Sequence, residues 1–148
     1  MVLGESNTGT TLVNISGATP VTNAIEVARD FALANGVVGH DLSRLCVIVE
    51  ELIANLYEHG GVGPEEIVEL SLARESDGVR IIVIDPGRPF DPRMARSGRP
   101  RPSRGGGAGI DIVRQWVSRI DYGVTDGCNR LELLVPLRGE TTEGAPRV

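Results

Sequence analysis

Leu45-Cys46-Val47-Ile48-Val49-Glu50-Glu51-Leu52-Ile53-Ala54-Asn55-Leu56-Tyr57-Glu58-His59-Gly60 decides how the rest of the chain is read. Neither Gly nor Pro interrupts the sequence from Asp41 to His59, and Gly60-Gly61 follow, so a helix that stops there is expected. At 100° per residue, Leu42, Leu45, Cys46, Val49, Leu52, Ile53 and Leu56 make one broad apolar face. Glu51, Asn55, Glu58 and His59 lie on the other side, three and four residues apart, so their heads can converge. A polar stripe of this kind is ordinarily a solvated face. Here Val47, Ile48 and Ala54 share the side of Glu51, so the middle of the helix is apolar nearly all round and should be covered on both sides. A carboxylate and an amide beneath a cover need partners, which makes Glu51 and Asn55 site candidates.

The chain has 148 residues, enough for one domain with a proper core. Its 41% hydrophobic and 24% charged residues are ordinary for a soluble globular protein. No apolar run approaches the ~20 residues of a membrane span, and no basic-apolar leader opens the chain, so a cytoplasmic protein with no membrane partner is expected. Cys46 and Cys128 lack metal-ligand neighbours and imply neither a disulfide framework nor a zinc site. A net charge of −5 and 3% aromatic residues argue against direct nucleic-acid binding. The fifteen basic residues are all Arg. Without Lys there can be no Walker A loop, no strand lysine of an ordinary protein kinase and no Schiff base. Any nucleotide must be handled by another architecture.

Residues 1–10 are polar and expected to be frayed. Thr11–Ser16 alternates as a strand, and Thr19-Pro20 opens a helix, Thr as N-cap and Pro at the first position, which Asn35-Gly36 closes. The central helix begins at Asp41 or Ser43. Ile67–Arg74 and Val79–Ile84 then read as a hairpin turning at Ser76-Asp77-Gly78, and Ile81-Ile82-Val83-Ile84, apolar on both faces, must be an interior strand. Residues 86–107 are rich in Pro, Gly and Arg, and a loop this long is disordered or a lid. Gly105–Gly109 leads into a helix from Ile110 to Val117. Arg119–Thr125 and Asn129–Leu137 form a last hairpin about Asp126-Gly127, and 138–148 is a polar tail expected to be disordered. The expectation is one domain over 11–137, a two-layer α/β (α+β) sandwich with a mixed, mostly antiparallel sheet and three helices on one face.

Three stretches together resemble a known family. Glu51-Leu-Ile-Ala-Asn55 with His59-Gly60 is similar to the N box of the Bergerat-fold ATPases, the gyrase and histidine-kinase superfamily. Asp85-Pro-Gly87 resembles their first glycine box, and Gly107-Ala108-Gly109-Ile110 their second. Order and spacing fit over roughly residues 10–137. Glu-Leu-x-x-Asn-x-x-x-His-Gly, Asp-x-Gly-x-Pro-Phe-Asp-Pro and a single compact domain look most like the small serine kinases that act as bacterial anti-sigma factors. The broader superfamily often has a second glycine two residues after Gly87, where this chain has Pro89; the small-kinase branch tolerates that.

The resemblance implies ATP and Mg2+ as cofactors. A metal-bound triphosphate wants oxygen ligands, and Asn55 offers a neutral carbonyl oxygen. Glu51, one turn earlier, can reach a hydroxyl near the terminal phosphate as general base or orienting group. By resemblance Asp85 reads the adenine amino group, and Gly87 lets the backbone pass close to the base. Arg104 and Gly105, followed by Gly107, Ala108, Gly109 and Ile110, form a natural phosphate cradle at a helix start. The alternatives remain: Asp85 opening a turn, the glycines as a hinge, His59 capping its own helix rather than facing nucleotide.

The function implied is an ATP-dependent protein serine/threonine kinase in a partner-switching system. It would bind a sigma factor in one state, and in another phosphorylate a small antagonist protein; a homodimer is the family expectation. Two alternatives stand beside it. One is a nucleotide-gated binding module without significant kinase activity; the other is a catalytic domain for a histidine phosphotransfer partner supplied in trans. His40 lies beside Gly39 rather than on a long hairpin helix, which argues against autophosphorylation on histidine.

Overall fold

A computed structural model describes residues 2–7, 9–94 and 106–139, and two left-handed glycines in it mark where helices stop. Helix α1, Pro20–Ala34, has Pro at its start and ends at Asn35, after which Gly36 takes φ 71°. Thr19 holds the N-cap position, yet its hydroxyl makes no capping hydrogen bond. Helix α2, Gly39–Glu58, begins two residues before Asp41. It ends where Gly61 turns left-handed at φ 78° and Val62 N–H reaches back 3.2 Å to the Leu56 carbonyl. Val62 is then buried in the core. Leu45, Ile48, Val49, Leu52 and Ile53 of α2 are also buried, and α1 and helix α3, Gly106–Trp116, both pack against α2. The expected double cover is therefore α1 and α3, with the sheet closing the core.

The strands are β1 (Val2–Asn7), β2 (Thr10–Ile15), β3 (Val68–Glu75), β4 (Gly78–Asp85), β5 (Arg119–Thr125) and β6 (Cys128–Pro136). They form one six-stranded sheet in the order β1-β2-β3-β4-β6-β5, and every pairing is antiparallel. Period-two alternation sends Val13 and Ile15, Val68 and Leu70, Ile81 and Val83, and Leu133 and Val135 to the helix side. β4 is interior, as its composition demands, but Ile82 and Ile84 on its other face are only half-buried. A short 3-10 helix, Pro92–Met94, follows the Asp85-Pro86-Gly87 turn.

The two hairpins use glycine differently. At Asp126-Gly127 both residues have positive φ, 53° and 77°, the mirror-image turn that matches strand twist. At the other hairpin Glu75 pairs with Gly78, so Gly78 belongs to the strand rather than the turn. A Cβ on Gly78 would overlap the Val135 carbonyl of β6, so this glycine serves close strand approach.

Three expectations need correcting. Residues 1–10 are not wholly frayed: β1 pairs with β2 over six positions, because the outer N–H and C=O groups of β2 find partners there whatever the side chains. Of residues 86–107, expected to be disordered or a lid, 86–94 are described and include the Pro92–Met94 3-10 helix. Gly106 and Gly107 already belong to α3, and residues 95–105 lie outside the described ones. The tail is anchored at its root, since Arg138 N–H and Gly139 N–H donate to the Asp41 carboxylate at 3.0–3.1 Å, while 140–148 lie outside the described residues.

Asp41 is buried at 4% exposure and also takes an ion pair from Arg44 at 2.7 Å. Burial pushes its carboxyl up, but the Arg138 and Gly139 N–H groups and the Arg44 guanidinium outweigh that and hold it below the usual range. A lowered folded-state value means stabilisation that is present above the ordinary aspartate range and is lost as pH falls through the folded value. Asp41→Asn should cost about 2 kcal/mol, roughly 6 °C in Tm for a chain of this size. Thermal melts of the two proteins should converge in strong acid; equal Tm values at pH 7 would remove the anchor from the account.

Candidate functional site

A cleft opens between α2, α3 and the ends of β4, β5 and β6. Leu52, Leu56, Val83, Ile110 and Leu131 make its walls apolar, and Asn55, Asp85 and Asn129 supply polar groups. An apolar slot with a few converging polar atoms is the usual form of a small-molecule site.

At one end stands Asp85, the last residue of β4, at 4% exposure. Its Oδ1 accepts from Gly87 N–H at 2.8 Å and from Asn129 Nδ2 at 3.1 Å. Its Oδ2 accepts no hydrogen bond among the described residues and remains for a ligand donor. Burial raises the carboxyl above its ordinary value, the Asn129 and Gly87 hydrogen bonds lower it, and the rise prevails. Gly87 has to be glycine: a Cβ there would overlap the Gly60 carbonyl and come within 2.9 Å of Asp85 Oδ1. Arg88 straps this turn to the end of α2, its N–H on the Gly60 carbonyl at 2.8 Å and its guanidinium on the His59 carbonyl.

Toward α3 lies Asn55, in the lining, with Glu51 one turn earlier on α2. The Glu51 carboxylate fills the space a Cβ on Gly109 would occupy, so α2 and α3 meet through a glycine. Gly106, Gly107, Ala108 and Gly109 form the first turn of α3 rather than a loop ahead of it. The first four N–H groups of a helix have no partner within it, so glycines are tolerated there and a turn of this kind suits an anion. Burial, with Glu50 and Glu58 adding like charge, raises the Glu51 carboxyl above the ordinary range.

The cleft thus gathers Asn55, Asp85 and Ile110, with Glu51, Gly87 and Gly109 packed at its edges. His59 is exposed at the C-cap of α2 and is absent from the lining. Arg104 and Gly105 lie outside the described residues. Sequence reasoning passed over Asn129 and Tyr122. Asn129 sits opposite Asp85 in the β4–β6 register, and its phase with Leu131, Leu133 and Val135 marked it as a polar residue on a core face. That pairing of β4 with β6 joins strands of different hairpins, which local patterning does not reveal.

Two stability consequences follow. The folded state binds the Glu51 proton more tightly than the unfolded chain, so its ionisation removes stability as pH rises from the ordinary glutamate value through the raised one. Glu51→Gln should therefore raise Tm at pH 7 and leave it unchanged in acid below both values; a lower Tm at pH 7 would contradict this. Gly109→Ala should destabilise the native protein by about 1 kcal/mol more than it does in a Glu51→Ala background. Additive losses in that thermal double-mutant cycle would mean the two groups do not touch.

A search among curated proteins returned no significant match. The family model of the histidine kinase-like ATPase domain matches residues 17–135, which takes in α1, α2, the cleft and all but the last residue of β6. With that match and a cleft built between the same boxes, the chain belongs to the histidine kinase-like ATPase domain family, and it is a domain of the ATP-binding kind.

Proposed function

We propose that the protein is an ATP-dependent protein serine/threonine kinase that works as an anti-sigma partner switch. The observation that carries the reading is Glu51: a carboxylate with a raised proton affinity, wedged against the first turn of α3 and one helical turn from Asn55. Binding a nucleotide does not need such a group, and it costs stability at neutral pH. A general base does need an affinity moved toward the working pH.

ATP would lie with its base toward Asp85 and its phosphates toward the first turn of α3. Asp85 Oδ2 would accept from the exocyclic amine of adenine, and a 6-oxo purine would set oxygen against oxygen there. The oxygen donors fit a hard divalent ion: Asn55 would hold Mg2+ through its side-chain carbonyl together with phosphate oxygens. When bound, that ion supplies charge neutralisation along the phosphates. The partner's serine or threonine Oγ attacks the γ-phosphorus, the bond from that phosphorus to the β,γ-bridging oxygen breaks, ADP leaves, and the hydroxyl proton passes to Glu51. The acceptor would be a small antagonist protein and the second partner a sigma factor. The protein would act as a homodimer, for which the helix-free face of the sheet, with Leu12 39% exposed and Ile82 and Ile84 half-buried, is available. A monomer mass in sedimentation equilibrium would remove that part.

Glu51→Gln should keep the ATP dissociation constant within about threefold and reduce transfer to a protein acceptor by at least about 100-fold. Transfer in the native protein should rise with pH through a value above the ordinary glutamate range, since only the ionised carboxylate accepts the proton. Calorimetry with ATP, followed by radiolabel transfer to proteins captured on the immobilised chain, reads both. Acid-stable label identifies serine or threonine. Acid-labile label would indicate a histidine acceptor, and ATP binding without transfer would leave a nucleotide-gated binding module.

A further inference from the structure

A hydrogen-bonded chain crosses the floor of the cleft from Phe90, in the segment after β4, to Asp85. Phe90 N–H donates to the Tyr122 hydroxyl at 3.1 Å, and that hydroxyl donates to Asn129 Oδ1 at 2.6 Å. Asn129 Nδ2 then faces three acceptors at 3.1 Å: Asp85 Oδ1, the Gly87 carbonyl and the Arg88 carbonyl. None of those three has a proton to give, so a reversed amide would set its oxygen against three others. The Tyr122 hydroxyl has a single proton, and with Phe90 N–H already pointing at its oxygen, that proton goes to Asn129. Every donor in the chain is thereby committed in one direction. Asp85 Oδ1 is filled by Asn129 and Gly87, and among the described residues Oδ2 accepts no hydrogen bond.

We propose that Tyr122 and Asn129 are positioning residues that set the polarity of Asp85, and with it the choice of 6-amino over 6-oxo purine, and that couple base recognition to Phe90 in the segment that follows β4. The proposal rests on reading the cleft as an ATP site. Asn129 is buried at 4% exposure on the interior strand β6, while Tyr122 reaches it from the edge strand β5. The pair is anchored in the sheet, whereas Gly87, Arg88 and Phe90 belong to the segment that leaves it. A carboxylate held by one amide donor and one backbone donor has no freedom to turn its filled oxygen to the ligand. If the hydroxyl is removed, Asn129 Oδ1 and Phe90 N–H both lose their partner, so Asn129 is held only through its Nδ2 contacts and its grip on Asp85 Oδ1 slackens.

The test is calorimetric titration of the full chain with ATP and GTP, each with magnesium, for the native protein, Tyr122→Phe and Asn129→Leu, with Tm recorded for each. The native protein should prefer ATP strongly. Tyr122→Phe should stay folded and lose at least tenfold of the ATP-over-GTP preference. Amide exchange at Phe90, slowed by ATP in the native protein, should no longer respond to it in the variant. Asn129→Leu should reduce the preference further, and if it fails to fold, Tyr122→Phe alone decides. Equal loss of affinity for both nucleotides, with the preference intact, would make the pair merely structural and overturn the proposal. Native protein that prefers ATP beside variants that still do overturns the proposal while leaving the ATP reading in place. Native protein that binds neither nucleotide overturns both.

Discussion

The approach of α2 to α3 at Glu51 and Gly109 is the constraint on which the site depends. A helix that carries Leu45, Ile48, Val49, Leu52 and Ile53 into the core cannot also keep its Glu51 side fully solvated once α3 lies on it. Gly109 gives up its side chain so that a carboxylate can occupy the contact. The result is a charge held in reduced solvent beside Glu50 and Glu58, with a proton affinity raised by its setting. Any residue larger than glycine at 109 would push Glu51 out of this contact with α3. Packing and chemistry are set by the same atoms here.

The other end of the cleft works by the opposite device. Asp85 is more deeply buried than Glu51, and it is surrounded by donors instead of left to like charges. Buried polar groups are tolerated when hydrogen-bonded and become directional when the network is complete on one side. Asp85, Asn129 and Tyr122 satisfy one another and the turn through Gly87 and Arg88, leaving one carboxylate oxygen to be matched by a ligand. One carboxylate is thus set among hydrogen-bond donors, and the other among like charges against a helix turn.

Between them runs the segment that begins at Pro86. Arg88 ties it to the C-terminus of α2 through the Gly60 and His59 carbonyls, and Tyr122 ties it to β5 through Phe90. A strapped root means that movement of the segment, if coupled to nucleotide, is transmitted to α2 and to the sheet edge rather than lost in slack chain. The all-Arg composition suits this duty: a planar guanidinium caps carbonyl oxygens in a fixed direction, which a flexible ammonium does less well.

Much of this was legible in the residues. The helical period around Glu51 and Asn55, the double apolar character that required a cover, the alternation of the strands and the Asp126-Gly127 turn are local properties. Local sterics and burial set them before any tertiary contact forms. The three boxes likewise contain Asn55, Asp85 and Ile110, which the fold brings to one cleft. Tertiary structure alone decided what lies across from what. That β6 rather than β5 pairs with β4, bringing Asn129 opposite Asp85, depends on strand order, and strand order is set by packing the whole sheet under three helices. That Gly109 yields its space to Glu51, Gly78 to Val135 and the chain root at Arg138 its N–H to Asp41 are contacts between residues far apart in sequence. A residue's own pattern states which face it occupies; only the assembled fold states which atom meets it there.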